Sequence, residues 1–180
     1  MCQTPLDLIL FLPAGDPWQK SHREITPGRH RLAMTELAVA GVDGFATDDR
    51  EILRAGASYT IDTLESFSGD DEIFLVLGVD AALGIDTWHR ASDVKQRARF
   101  LVLPRPGFDP GELRENLPAA TVLEMEELDL SSTAIRRRAR EGEPFRFLVP
   151  YGVYEYIVEN GLYTQTPPDD KVRPQSYQEG

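Results

Sequence analysis

The run from Asp129 to Arg138, Asp-Leu-Ser-Ser-Thr-Ala-Ile-Arg-Arg-Arg, holds the residue types best suited to chemistry on an anion in this 180-residue chain. Ser131, Ser132 and Thr133 stand just before a stretch with helical character. Their hydroxyls suit a helix start, where backbone N–H groups lack partners inside the helix. Those N–H groups also carry partial positive charge and attract phosphate. Arg136 lies about one turn further in, and Arg137, Arg138 and Arg140 follow it. Hydroxyls, free amides and a guanidinium converging on one point describe a phosphate cradle without a glycine-rich loop. A capped helix with a solvated basic face explains the same run, because capping hydroxyls are common.

Other candidates lie where strands should end. Leu6 to Leu12 is a nearly continuous apolar run stopped by Pro13-Ala14-Gly15-Asp16-Pro17, and the loop beyond carries Trp18, Lys20, His22 and Arg23. In open parallel sheets, ligands bind outside the carboxyl ends of the strands. Lys20 is therefore a candidate phosphate partner, and a solvated loop lysine accounts for it equally well. Ser58, Tyr59, Thr60 and Thr63 crowd hydroxyls at the start of another helical stretch. A helix cap needs only one of them. Asp80 follows the apolar run Ile73–Leu77 and Gly78, either at the ligand end of a strand or as a cap for the next short helix. Trp88 is either core or a stacking surface for a flat ligand. Arg105, between Pro104 and Pro106, is more restrained than an ordinary surface arginine.

The elements that must position these residues alternate. Leu6–Leu12, Ile73–Leu77 and Arg99–Leu103 read as strands buried on both faces. Phe45–Thr47 and Val122–Met125 are weaker strands. Thr26-Pro27 opens a helix to about Ala40, Ser58–Leu64 begins another, and Tyr151–Glu159 is a last amphipathic one ended by Asn160-Gly161. Strands alternating with helices imply an α/β fold with a parallel sheet and right-handed crossovers.

Composition narrows the function classes. A net charge of −11 argues against a general nucleic-acid binder but leaves room for a local anion pocket. Cys2 is the single cysteine, which excludes an internal disulfide and fits a cytoplasmic protein. No run of about 18 apolar residues suggests a membrane span. The first residues lack the basic leader of a signal peptide. One domain over residues 1–163 is expected, with a disordered tail over 164–180, where Pro, Asp, Gln and Lys replace the apolar pattern.

Taken together, these segments resemble the bacterial nicotinate-nucleotide adenylyltransferases, within the HxGH nucleotidyltransferase superfamily. The likeness covers nearly all of residues 6–163. It rests on Phe11-Leu12-Pro13-Ala14-Gly15 with Trp18-Gln19-Lys20, on Arg29 with Arg31-Leu32-Ala33-Met34, and on Ser58-Tyr59-Thr60 with Asp62-Thr63-Leu64. Leu77-Gly78-Val79-Asp80-Ala81, Thr87-Trp88-His89 and Pro104-Arg105-Pro106-Gly107 continue it, and Leu130-Ser131-Ser132-Thr133-Ala134-Ile135-Arg136 matches the (I/L)SSTxIR motif.

The resemblance implies a Rossmann-like nucleotidyltransferase fold, a parallel sheet flanked by helices. It also implies transfer of AMP from ATP to nicotinate mononucleotide in NAD biosynthesis, with Mg²⁺ accompanying ATP. Lys20, Asp80, Ser131, Ser132, Thr133 and Arg136 would bind ATP. Ser58, Tyr59, Thr60, Trp88 and Arg105 would meet the mononucleotide, with the Trp88 indole stacked on its pyridine ring. No protein metal ligand and no protein nucleophile is implied, and partners would be ATP and nicotinate mononucleotide, with no nucleic acid or membrane. A homo-oligomer is compatible with the sequence.

One departure stands out. The family opens with a strand, a loop containing GxFDPxHxGH and a helix. His22, His30 and His89 are the only histidines here, and no two have HxGH spacing. The resemblance thus implies an N-terminally truncated domain missing its first strand and helix, no assignable catalytic residue, and a chain inactive as it stands. Two other readings remain: a non-catalytic nucleotide-binding remnant, or another adenylyltransferase of the superfamily, such as one acting on pantetheine phosphate. Ser58-Tyr59-Thr60 and Thr87-Trp88-His89 favour a pyridine nucleotide over the latter.

Overall fold

The most deeply buried strand is β4, Arg99–Leu103, in which Phe100, Leu101 and Val102 are no more than 5% exposed. Its Phe-Leu-Val run buries both faces, as expected of a strand flanked on both edges in a parallel sheet. The structure is a computed structural model describing residues 6–16, 25–69, 71–105, 107, 109–125 and 130–164. β4 pairs in parallel with β3, Phe74–Gly78, in a register running from Phe74 opposite Arg99 to Gly78 opposite Leu103. On its other edge β5, Thr121–Val122, pairs in parallel opposite Leu101 and Val102. A second parallel pair joins β1, Ile9–Phe11, to β2, Phe45–Thr47.

Helices make the connections. α1, Gly28–Val39, joins β1 to β2. α2, Arg50–Leu53, and α3, Thr60–Glu65, lie between β2 and β3. α4, Val79–Leu83, a 3₁₀ turn over Ile85–Thr87 and α5, Ala91–Arg97, lead to β4. α6, Ser132–Glu141, and α7, Tyr151–Glu159, follow β5. Parallel strands with helical crossovers are the α/β arrangement expected from the alternating pattern.

Two apolar clusters hold these elements. The first centres on the β3–β4–β5 sheet and joins Ile61, Leu64, Val79, Ile85, Val94, Phe100 and Val102. The second joins Ala139 of α6, Phe145, and Val153 and Ile157 of α7, with Met34 of α1 packed against it.

Some expectations need correction. β1 starts at Ile9 rather than Leu6, because β2 offers only three rungs of pairing. Its three residues are half-buried, not buried on both faces. In β3, Val76 is 44% exposed. β4 is the one strand with a ladder on each edge among the described residues, and its centre, Phe100 to Val102, is buried on both faces. β5 is shorter than Val122–Met125 and starts one residue earlier. α5 is a helix that the apolar pattern does not announce, since Val94 is its single buried residue. The tail from residue 165 onward and Cys2 lie outside the described residues.

Candidate active site

Register builds the first part of the site. Gly78 and Leu103 are opposite one another at the carboxyl ends of β3 and β4. Asp80 and Arg105 each stand two residues further on, and their side chains form an ion pair. Asp80 is in the first turn of α4, whose N-cap is Gly78, so the alternative role of Asp80 as a cap does not hold. Both side chains are more than half exposed, so the pair contributes little to stability. Its consequence is placement: a cation and an anion at the strand ends, where ligands of such sheets bind.

The segment before α3 forms the second part. Ser58 Oγ accepts from Gly15 N at 2.9 Å and from Asp16 N at 3.2 Å. The Ser58 amide in turn donates to Asp16 O at 2.9 Å, beside a parallel bridge between Asp16 and Ala57. The Ser58 hydroxyl thus fastens the loop that leaves β1. Tyr59 stacks on His89 with ring centroids 4.2 Å apart and planes 30° apart. Trp88, next in the chain to His89, is half-buried and packs against the first cluster. The core and stacking readings of Trp88 are therefore compatible, with one part of the indole in the core and the remainder exposed. Thr63, of the same hydroxyl cluster, turns inward and donates to Glu51 Oε1 at 2.7 Å.

The third part is the start of α6. Ser131 is the N-cap, and its Oγ accepts from Ala134 N at 3.1 Å. Capping thus accounts for Ser131, while Ser132 and Thr133 are exposed in the first turn. Arg136 donates to Thr133 Oγ1 at 3.4 Å, so its guanidinium folds back toward the helix start. Its neighbours turn the other way. Arg137 pairs with Glu141 and Glu143, whose hydrogen bonds hold its guanidinium above the ordinary value. Arg138 donates to Pro144 O at 3.2 Å. Gly142, at φ 70°, closes the helix in the left-handed conformation that glycine adopts freely.

The contacts join Ser58 to the β1 loop, Tyr59 to His89 beside Trp88, and Asp80 to Arg105. Ser131, Ser132, Thr133 and Arg136 belong to a helix that packs on the second cluster, not the first. Lys20 and Asp129 lie outside the described residues. Two residues quoted only as parts of motifs, with no site role, make contacts here. His89 stacks on Tyr59, and its adjacency to Trp88 was the available signal. Arg31 donates from Nη2 to Gly15 O at 3.0 Å and from Nε to Thr26 O at 2.9 Å. Burial lowers the Arg31 pKa from its ordinary value, but an arginine remains charged in a protein.

Residues 2–138 match the cytidylyltransferase-like family, which makes the chain a member of the nucleotidyltransferase class. A probable nicotinate-nucleotide adenylyltransferase of Nocardioides sp. is 41% identical over 175 residues, covering 93% of this chain and 85% of that protein. One from Frankia alni is 42% identical over 163 residues, covering 88% and 85%. The chain belongs to the nicotinate-nucleotide adenylyltransferase family. Its fold is also that of the Plasmodium falciparum nicotinic acid mononucleotide adenylyltransferase solved with NaAD, with a TM-score of 0.69 at 14% identity over 87% of this chain and 82% of that one.

Proposed function

We propose that this chain binds ATP and nicotinate mononucleotide for transfer of AMP between them, giving deamido-NAD and pyrophosphate. The observation that carries the site assignment is the split among the α6 arginines. Arg136 turns back to the Thr133 hydroxyl in the first turn, while Arg137 and Arg138 serve the far end of the helix. A helix start with exposed hydroxyls and a returning guanidinium suits a triphosphate. Family membership supplies the reaction.

In that reaction the mononucleotide phosphate attacks the α-phosphorus of ATP, and the bond to the departing pyrophosphate breaks. The protein's part is alignment and charge neutralisation. Ser132, Thr133 and Arg136 hold phosphate oxygens. Lys20 adds a second cation. Trp88 stacks on the pyridine ring beside the Tyr59–His89 pair, with Thr60 meeting the nicotinate carboxylate. Asp80 lies toward ribose and Arg105 toward the mononucleotide. Ser58 acts mainly by holding the β1 loop.

Magnesium would arrive with ATP and offset charge on the phosphates. Among the described residues no group of three or more His, Cys, Asp or Glu side chains could cage it. A magnesium ion bound with a nucleotide is held mainly by phosphate oxygens and water, with one or two carboxylates at most; Asp80, which pairs with Arg105, is the carboxylate proposed to lie on the ribose side. No described helix is long and apolar enough to cross a membrane.

Calorimetric titration with ATP and with nicotinate mononucleotide tests this reading. Arg136→Ala should weaken ATP binding by about 1.5–3 kcal/mol, the range for hydrogen bonds to charged groups. Arg137→Ala should leave it unchanged. Trp88→Phe should bind the mononucleotide nearly as well, and Trp88→Ala about 1–3 kcal/mol less tightly. Equal losses from Arg136→Ala and Arg137→Ala would remove the phosphate role from the helix start.

A further inference from the structure

The opposite end of the β3–β4–β5 sheet also carries a recess. A cavity of about 680 Å³ opens at the amino ends of these strands. Its apolar walls include Ile73 before β3, Phe100 in β4 and Leu117 before β5, and its charged lining includes Lys95, Arg97 and Arg99. The strands are five residues long, so about 16 Å of sheet separates this cavity from Gly78, Leu103 and the site beyond them.

The charge balance suggests an occupant. Three cations stand around the cavity against one lining carboxylate, Glu72, on a chain whose net charge is −11. Each cation has an ion partner, but the partners hold unequally. Lys95 pairs with Asp86 at 2.6 Å and Arg99 with Glu72 at 2.6 Å. Arg97 reaches Glu65 only at 3.6 Å, and Arg90 already holds that carboxylate at 2.9 Å and 3.1 Å. Arg97 is thus the cation with most capacity for a further anion, and its side chain is half exposed. The volume falls within the range of small-molecule pockets, about 300–1,000 Å³.

We propose that this cavity binds a small amphipathic anion. A flat or aliphatic body would lie on Ile73, Pro118 and Ala120, which are accessible above the buried Phe100 and Leu117, and a carboxylate, sulfonate or phosphate would meet Arg97. Because both strands run from this cavity to the site at their carboxyl ends, a ligand here bears on the rigidity of β3 and β4. The proposal does not rest on the reading of the reaction.

The probe is 1-anilinonaphthalene-8-sulfonate, titrated into the full 180-residue chain by fluorescence, with amide chemical shifts recorded alongside. Binding should perturb the amides of Ala98, Asn116 and Ala120. Arg97→Glu should weaken it about fivefold or more, as expected for replacing an attractive charge with a repulsive one at a half-exposed site. Ala119→Trp, an exposed position on the lining, should fill the cavity and weaken it similarly without loss of the folded shift pattern. ATP and nicotinate mononucleotide should not displace the probe. No binding, displacement by either nucleotide, perturbation centred elsewhere, or unchanged affinity in both variants would overturn the proposal. Failure of the nucleotides to bind at all would bear on the reaction alone.

Discussion

At the scale of single residues, side chains of one type separate by what they touch. Asp48 shows this outside the site. It accepts from the Arg50 side chain and from the Arg50 amide, the latter at 2.9 Å. Arg50 also lies 3.9 Å from the centre of the Phe67 ring. The Asp48 side chain is 16% exposed and that of Arg50 29%. The hydrogen bond from Arg50 holds the Asp48 carboxyl below its ordinary value of 3.8. A carboxylate with a depressed folded pKa stabilises the protein above its unfolded pKa. That contribution is lost as pH falls through the folded value. Asp48→Asn should therefore lower stability near neutrality by about 1 kcal/mol. The difference from the parent should shrink as pH drops below 3.8, as read by urea denaturation at several pH values. A constant difference down to strong acid would remove the ion pair as the cause.

The same reasoning divides the site's hydroxyls. Ser131 and Ser58 accept backbone N–H groups, one at a helix start and one across the β1 loop. Ser132 and Thr133 sit exposed beside Arg136. A sequence pattern treats these hydroxyls alike, while the hydrogen bonds distinguish their work.

At the scale of elements, the loop after β1 is held by contacts from far along the chain. Gly15 gives its amide to Ser58 Oγ and its carbonyl to Arg31. A side chain there would place Cβ 2.0 Å from the carbonyl oxygen of Glu51, in the first turn of α2. That oxygen is backbone and cannot swing aside. Gly15→Ala should therefore push the loop off α2 and cost more than about 2 kcal/mol, within the range for overpacking a tight contact. Thermal melts would measure the loss. Arg31→Lys, which keeps charge but not the two-carbonyl grip, should give a smaller one. A Gly15→Ala chain melting like the parent would mean that the loop repacks freely.

At the scale of the whole molecule, the β3–β4–β5 sheet carries the Asp80–Arg105 pair of the candidate site at its carboxyl ends and a cavity at its amino ends. The chemistry at the first end depends on groups the sequence can supply. The 180 residues hold three histidines and none in HxGH spacing. They should therefore bind both nucleotides yet release pyrophosphate only slowly. A coupled pyrophosphate assay checks this, and brisk turnover would show that this chain does not need an HxGH pair.

Much of the fold was legible from periodicity. Arg99–Leu103 and Tyr151–Glu159 have the bounds their apolar patterns predict, because full burial or strict amphipathicity leaves a strong local trace. The start of α6 was legible too, since capping is decided within four residues. Legibility failed for α5, where one buried valine is too little pattern. It failed again for the length of β1, which its partner sets.

By itself the sequence determined the α/β class and the family, because these are written in the order of local patterns and motifs along the chain. Tertiary structure decided the pairing of Asp80 with Arg105, the stacking of His89 on Tyr59 and the fastening of Gly15 by Ser58 and Arg31. Each joins side chains or backbone groups far apart in the chain. Only parallel register and packing bring such groups within a few ångströms.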